Sequence, residues 1–172
     1  LDLELGLWLQ RSVQAWEGRA ARASIKLRAE IAPTLPHIMA DPIFLGQVME
    51  NLLDNAVKFS PREGLIQVRA WAEGNEALIT VSDNGVGVPP DRLEKIFGFF
   101  YQVDGSATRR FGGMGIGLSL CNVIVKAHGG RIWAESAPGQ GATFRVFLPV
   151  TAAPVLDAQS PAAAAPRGTG RI

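Results

Sequence analysis

Two apolar periods alternate along this chain. Leu5, Leu9, Val13 and Trp16 recur three or four residues apart, with Arg11, Gln14, Glu17 and Arg19 between them. That spacing predicts an amphipathic helix over 3–23 with Asp2 as its N-cap, weakened in its last turn by Gly18. The period then shortens to two. Ile25, Leu27, Ala29 and Ile31 share one face of a half-buried strand, and Lys26, Arg28 and Glu30 take the other. A short extended piece follows around 37–39. Asp41-Pro42 opens a second helix, an N-cap followed by a first-turn proline; Leu45, Val48, Leu52 and Ala56 line one side of it to Phe59, where Ser60-Pro61 stops it.

Two strands come next, 65–72 and 77–83, joined by Glu73-Gly74-Asn75-Glu76. A short helix near 90–96 precedes an irregular stretch to about Gly115. A long apolar helix then runs to His128 and is capped by Gly129-Gly130. The segments 131–136 and 142–149 read as a closing hairpin around Ala137-Pro138-Gly139-Gln140-Gly141. From Thr151 onward there are seven alanines, three prolines and no aromatic residue. Such a segment cannot bury enough apolar area to offset its ordering entropy, so 151–172 is expected to be disordered. The sum is α+β: a two-layer sandwich with a mixed, mostly antiparallel sheet and helices on one face.

Composition narrows the setting. A chain of 172 residues with 47% hydrophobic content suits one compact domain with short additions. A net charge of +1 gives no bulk electrostatic case for nucleic-acid or membrane binding. The single cysteine, Cys121, excludes an intrachain disulfide and falls in an apolar helical pattern, where it reads as a buried thiol. No apolar run approaches the roughly 20 residues that span a bilayer, and no signal-peptide pattern opens the chain. These features favour a reducing, cytoplasmic setting. The start at Leu1 without Met suggests a fragment.

Four segments carry candidate chemistry. Asn51, Asn55 and Lys58 are spaced i, i+4, i+7 and share a helix face. They read equally as a solvated polar stripe or as amide oxygens for Mg²⁺ with a lysine for phosphate. Asp83-Asn84-Gly85-Val86-Gly87 reads as a turn at a strand end, or as a carboxylate for an exocyclic amine with Gly85 and Gly87 letting backbone approach a ring. The stretch from Gly98 to Met114 carries Phe99, Phe100 and Tyr101 as an apolar anchor and Arg109 and Arg110 as charge; it is a surface loop or a lid over a ligand. Gly112, Gly113, Gly115 and Gly117 crowd the entry to the long helix, leaving backbone N–H groups and a positive dipole end that attract phosphate.

In order and spacing, Asn51 to Ser60, DNGVGVPP, the Phe97–Phe100 segment, GGMGIGL and GQGAT resemble the N, first glycine, F, second and third glycine boxes. These mark the catalytic ATP-binding domain of bacterial sensor histidine kinases, within the superfamily of the DNA gyrase B subunit, Hsp90 and MutL. The resemblance spans about residues 1–150. It implies the Bergerat fold with a flexible ATP lid, ATP as ligand, and Mg²⁺ held partly by Asn55. It also assigns adenine recognition to Asp83, base stacking to Phe59, and phosphate contacts to Lys58 and the backbone of Gly113, Gly115 and Gly117. Thr143 would join the adenine side through water around Asp83.

Where the hydrolysing members of the superfamily carry a glutamate, this chain has Asn51, and an amide is a poor general base. Glu50 lies about 100° around the helix and should not replace it. The resemblance thus implies phosphoryl transfer to a protein histidine in two-component signalling, with Asn51, Lys58, Arg109 and Arg110 as the catalytic set. The two histidines, His37 and His128, read as structural. The acceptor is therefore expected on a separate dimerisation domain, and a response regulator would be reached through it. On this reading 1–23 is a junction helix following that domain, 24–150 the catalytic domain and 151–172 a tail, in a parent kinase that is cytoplasmic or membrane-anchored. The pattern departs from the family at Gly98 and Phe99, where an acidic residue and a proline are usual. It departs again at Gln102, often Arg, and at Met114, often Thr. A nucleotide-binding interaction module without transfer, and a serine kinase of the anti-sigma type, are the alternatives.

Overall fold

The computed structural model describes residues 1–88, 96, 115–136 and 139–150. The expected helix near 90–96, the lid, and the tail from Thr151 lie outside them, Ile96 apart. So do Phe97, Gly98, Phe99, Phe100, Tyr101, Gln102, Arg109, Arg110, Gly112, Gly113, Met114, Ala137 and Pro138.

The elements in chain order are β1 (Asp2–Glu4), α1 (Leu5–Gln14), α2 (Glu17–Arg22), β2 (Lys26–Ile31) and β3 (His37–Met39). They continue as α3 (Pro42–Phe59), β4 (Leu65–Glu73), β5 (Glu76–Asp83), α4 (Gly115–Ala127), β6 (Arg131–Ser136) and β7 (Ala142–Pro149). Five strands form one sheet in the order β2-β4-β5-β7-β6, parallel at β2–β4 and antiparallel elsewhere. The mixed, mostly antiparallel sheet expected from the pattern is present.

Strand alternation divides the sheet into two faces. Ile66 and Val68 of β4, Ile79 and Val81 of β5, and Phe144 and Val146 of β7 point into one core with Leu5 and Leu9 of α1, Leu52 and Leu53 of α3, and Leu118 and Val125 of α4. The opposite face carries no helix among the described residues and covers itself. Trp133 stacks on Phe147 at 4.8 Å between ring centroids, and the Arg131 guanidinium lies 4.4 Å over Phe147. At the edge, Ala29 of β2 is exposed rather than half-buried as its alternation suggested.

The N-terminal segment differs from the single helix expected. β1 pairs antiparallel with β3, Leu3 opposite Ile38, before α1 begins. Asp2 is not an N-cap; its Oδ2 takes the His37 Nδ1 at 2.7 Å. The helix breaks at Ala15–Trp16 because the Trp16 ring turns into the core, 4% exposed, and its Nε1 donates to Glu50 Oε1 at 3.3 Å. Periodicity saw the apolar spacing that continues through the break but not the partner across it.

α3 begins as the sequence indicates. Asp41 Oδ1 accepts from Ile43 N at 2.9 Å and from Phe44 N at 3.3 Å, satisfying two of the orphan donors of the first turn. α4 ends as expected too: Gly129 adopts φ +79° and Gly130 N donates to Val125 O at 2.9 Å, closing the last turn.

Candidate nucleotide site

The site residues gather at one end of the sandwich, where α3 finishes, β5 finishes and α4 starts. Two glycines weld these ends together. A Cβ on Gly85 would lie 2.1 Å from Phe59 O, so the turn after β5 seats directly on the last residue of α3. A Cβ on Gly141 would lie 2.0 Å from Asp83 O, and Gly141 sits at φ +77°, so the β6–β7 hairpin is pressed onto the same turn. Asn84 adds a third tie, its Oδ1 accepting from Leu65 N at 3.1 Å.

Asp83 stands at the focus. It follows Ile79 and Val81 on the helix-facing side of β5, which makes its carboxyl half-buried. Burial pushes that carboxyl above its usual range, and the backbone N–H groups of Gly85 and Ala142 pull it partway back. The Gly85 N–H donates to Asp83 Oδ1 at 2.8 Å, and with Ala142 also donating, the carboxylate still has lone pairs able to accept from a ligand amine. Gly87, at φ +76°, bends the chain away beyond it.

The α3 stripe runs alongside. Asn55 is 7% exposed, while Asn51, Lys58 and Phe59 are half-buried. Asn51 faces the start of α4: a Cβ on Gly117 would meet Asn51 Oδ1 at 3.2 Å, so glycine lets the helix N-terminus approach the amide. Cys121, one turn on, is fully buried between Val48 O, 3.9 Å from its Sγ, and Asn51. Burial pushes its thiol up to about 12, so it stays a neutral, unreactive S–H. Gly115 is the first residue of α4. Lys58 Nζ pairs with Asp54 Oδ2 at 3.1 Å.

Thr143 does not join this group. It stands opposite Ser82 in the β5–β7 register, and its Oγ1 lies 3.0 Å from Ser82 Oγ on the sheet face away from Asp83. Ala142 is the residue beside Asp83. The signal was in the sequence: Val81 and Asp83 share a face, as do Phe144 and Ala142, so Thr143 must point the other way. Sequence reasoning also passed over Asp54, although an acidic residue four before Lys58 on a helix is a readable pair.

Glu50 is engaged elsewhere, by Trp16 and by Arg19 Nη1 at 2.9 Å, and does not stand in for Asn51. His128 bridges helices: its Nε2 accepts from Asp41 N at 3.1 Å, so Nδ1 carries the proton and donates to Ile124 O at 2.8 Å. Among the described residues no three His, Cys, Asp or Glu side chains gather to hold a metal by themselves. The oxygen donor at hand, the Asn55 amide, suits a hard cation whose other ligands are phosphate and water.

A two-layer sandwich with a desolvated carboxylate at a strand end, an amide-lined helix beside it and a glycine-entered helix N-terminus defines a nucleotide-binding domain. The chain belongs to the family described as Histidine kinase-, DNA gyrase B-, and HSP90-like ATPase, which residues 40–152 match. It is 40% identical over 133 residues to the circadian input-output histidine kinase CikA of Synechococcus elongatus, covering 77% of this chain and 18% of that protein. Its fold matches the catalytic domain of the histidine kinase ThkA, with a TM-score of 0.75 at 25% identity over 87% of this chain and 95% of that one. Full-length ShkA, solved in complex with AMPPNP, matches with a TM-score of 0.75 at 30% identity, over 90% of this chain and 32% of that one. The chain thus spans about a fifth of CikA and a third of ShkA. It is a catalytic ATP-binding domain of the histidine-kinase type.

Proposed function

We propose that this domain binds Mg-ATP and donates the γ-phosphoryl group to a histidine on a separate dimerisation domain, from which a response regulator is phosphorylated. The observation that carries this is the meeting of Asp83, Asn51, Asn55 and Lys58 at the seam of α3, β5 and α4. The AMPPNP bound in ShkA supports a nucleotide as the ligand. Asp83 accepts the adenine amine with a carboxylate lone pair that Gly85 and Ala142 leave free, and Phe59, in the last turn of α3, stacks on the base. Asn55 offers its amide oxygen to Mg²⁺, which when bound neutralises phosphate charge.

Lys58, the N–H groups at Gly113, Gly115 and Gly117, and the arginines Arg109 and Arg110 hold the phosphates. Asn51, tied to the start of α4 and unable to titrate, orients the γ-phosphoryl group without activating water, so transfer is favoured over hydrolysis. The acceptor must come from outside: His128 spends both ring nitrogens on backbone, and His37 is paired with Asp2. Among the described residues no helix is long and apolar enough to cross a membrane.

The test supplies a histidine-bearing dimerisation domain in trans with γ-labelled ATP. Acid-labile, base-stable label on that domain is expected, and lost with Asn51→Ala. Tight ATP binding with no labelled histidine from any acceptor domain tried would reduce the protein to a nucleotide-binding module.

A further inference from the structure

We propose that Asp54 is a positioning residue for Lys58: it holds the ammonium beside Asn51 and Asn55, and thereby makes nucleotide binding depend on a divalent cation. The inference rests on the Mg-ATP reading above. Lys58 lies in the last turn of α3, which ends at Phe59. The carbonyls at a helix C-terminus carry partial negative charge, so an unpaired lysine there is drawn past the end of the helix, away from the two asparagines. Asp54, one turn back, takes Lys58 Nζ at 3.1 Å and draws it toward the level of Asn55. That is also the direction in which helical side chains lean. The two side chains are 31% and 37% exposed, so the pair adds little to stability. Its consequence is where the charge sits.

The pair also sets the charge that an incoming polyphosphate meets. Asp54 cancels Lys58 at the stripe, so metal-free ATP gains little attraction from α3. Glu50, the next carboxylate along the helix, is already held by Arg19 and Trp16 and does not alter this balance. Once a divalent cation covers the phosphate charge, the Asp54 carboxylate ceases to repel and Lys58 remains in place. Metal-complexed nucleotide is then selected over the free anion by a residue that touches neither.

Dissociation constants for ATP in excess EDTA and in excess Mg²⁺, measured by calorimetry on the whole chain, test this. Asp54→Asn is expected to tighten metal-free ATP and weaken Mg-ATP, each by about twofold to fivefold, the range of a partly screened ion pair. Asp54→Glu should restore the wild-type ratio, because glutamate pairs with lysine at i,i+4 at least as well. On a Lys58→Met background, Asp54→Asn should no longer weaken Mg-ATP, while the direct repulsion of metal-free ATP is still relieved. The same ratio in Asp54→Asn as in wild type overturns the inference and leaves ATP binding standing. A loss of Mg-ATP affinity that persists on the Lys58→Met background overturns the positioning role. Wild type that binds ATP under neither condition overturns both readings.

Discussion

Asp83 pays twice for its position, once in burial and once in pH dependence. Its folded-state acidity is weakened by desolvation, so the carboxyl protonates at a higher pH than in the unfolded chain. The sign follows: its contribution to stability is most favourable below the unfolded carboxylate range and is lost as pH rises through the elevated folded value. Nucleotide binding has the opposite sense, because only the ionised carboxylate accepts from an amine with both oxygens. Calorimetry from about pH 7.5 down to about pH 4.5 should show ATP affinity falling before an ordinary carboxylate would titrate. Asp83→Asn should bind ATP weakly with no such fall; an unchanged profile in that variant would remove Asp83 from recognition. At Gly85 the limit is steric. Gly85→Ala places a methyl 2.1 Å from Phe59 O, and should lower stability by about 1–3 kcal/mol in a denaturant titration, the usual toll of overpacking. These residues were legible from turn chemistry and helical spacing. Thr143 faces Ser82 rather than Asp83, as alternation from the buried Phe144 dictates.

At the scale of elements, α4 is clamped to α3 at both of its ends. Gly117 lies against Asn51 at one end, and His128 bridges to Asp41 N at the other. The second tie also helps set the start of α3, since Asp41 is its N-cap. His128→Ala removes two hydrogen bonds and should destabilise by about 1–2 kcal/mol, with faster amide exchange at Asp41 as the specific signature. Unchanged exchange there would make the histidine a mere surface residue. A third tie joins the N-terminal helices to α3, where Trp16 and Arg19 hold Glu50 one residue before Asn51 and Arg19 lies 4.2 Å over the Trp16 ring. Neither of the last two ties was visible in the chain, because 87 residues separate His128 from Asp41 and 34 separate Trp16 from Glu50.

Over the whole molecule, one core joins the first twenty residues to the sheet. Leu5, Leu9, Val13, Trp16 and Ala20 are buried in the same cluster as Val68 and Val146, so the N-terminal segment packs as part of this domain. Its outermost tie is β1–β3, where Asp2 raises the pKa of His37, chiefly by hydrogen bonding and then by charge. A raised histidine stabilises below its unfolded value near 6.5 and loses that contribution as pH rises through the folded one. The pair is exposed, so the effect is local: the Ala40 amide, which donates to Leu1 O at 2.9 Å, should exchange more slowly in mildly acidic than in mildly alkaline solution after correction for intrinsic rates. His37→Gln should erase the difference.

By itself the sequence determined the number and kind of most elements, the bounds of α3, β6 and β7 to within a residue, and the motif order that marks the nucleotide site. Those properties are local: a cap, a period or a turn residue acts within a few positions. Tertiary structure decided the rest. It broke the first helix so that Trp16 could enter the core, and moved Asp2 from a cap to a strand pair. It set the β5–β7 register that brings Ala142 beside Asp83. Each depends on which face a residue presents to a distant partner, and that is fixed only when the layers close.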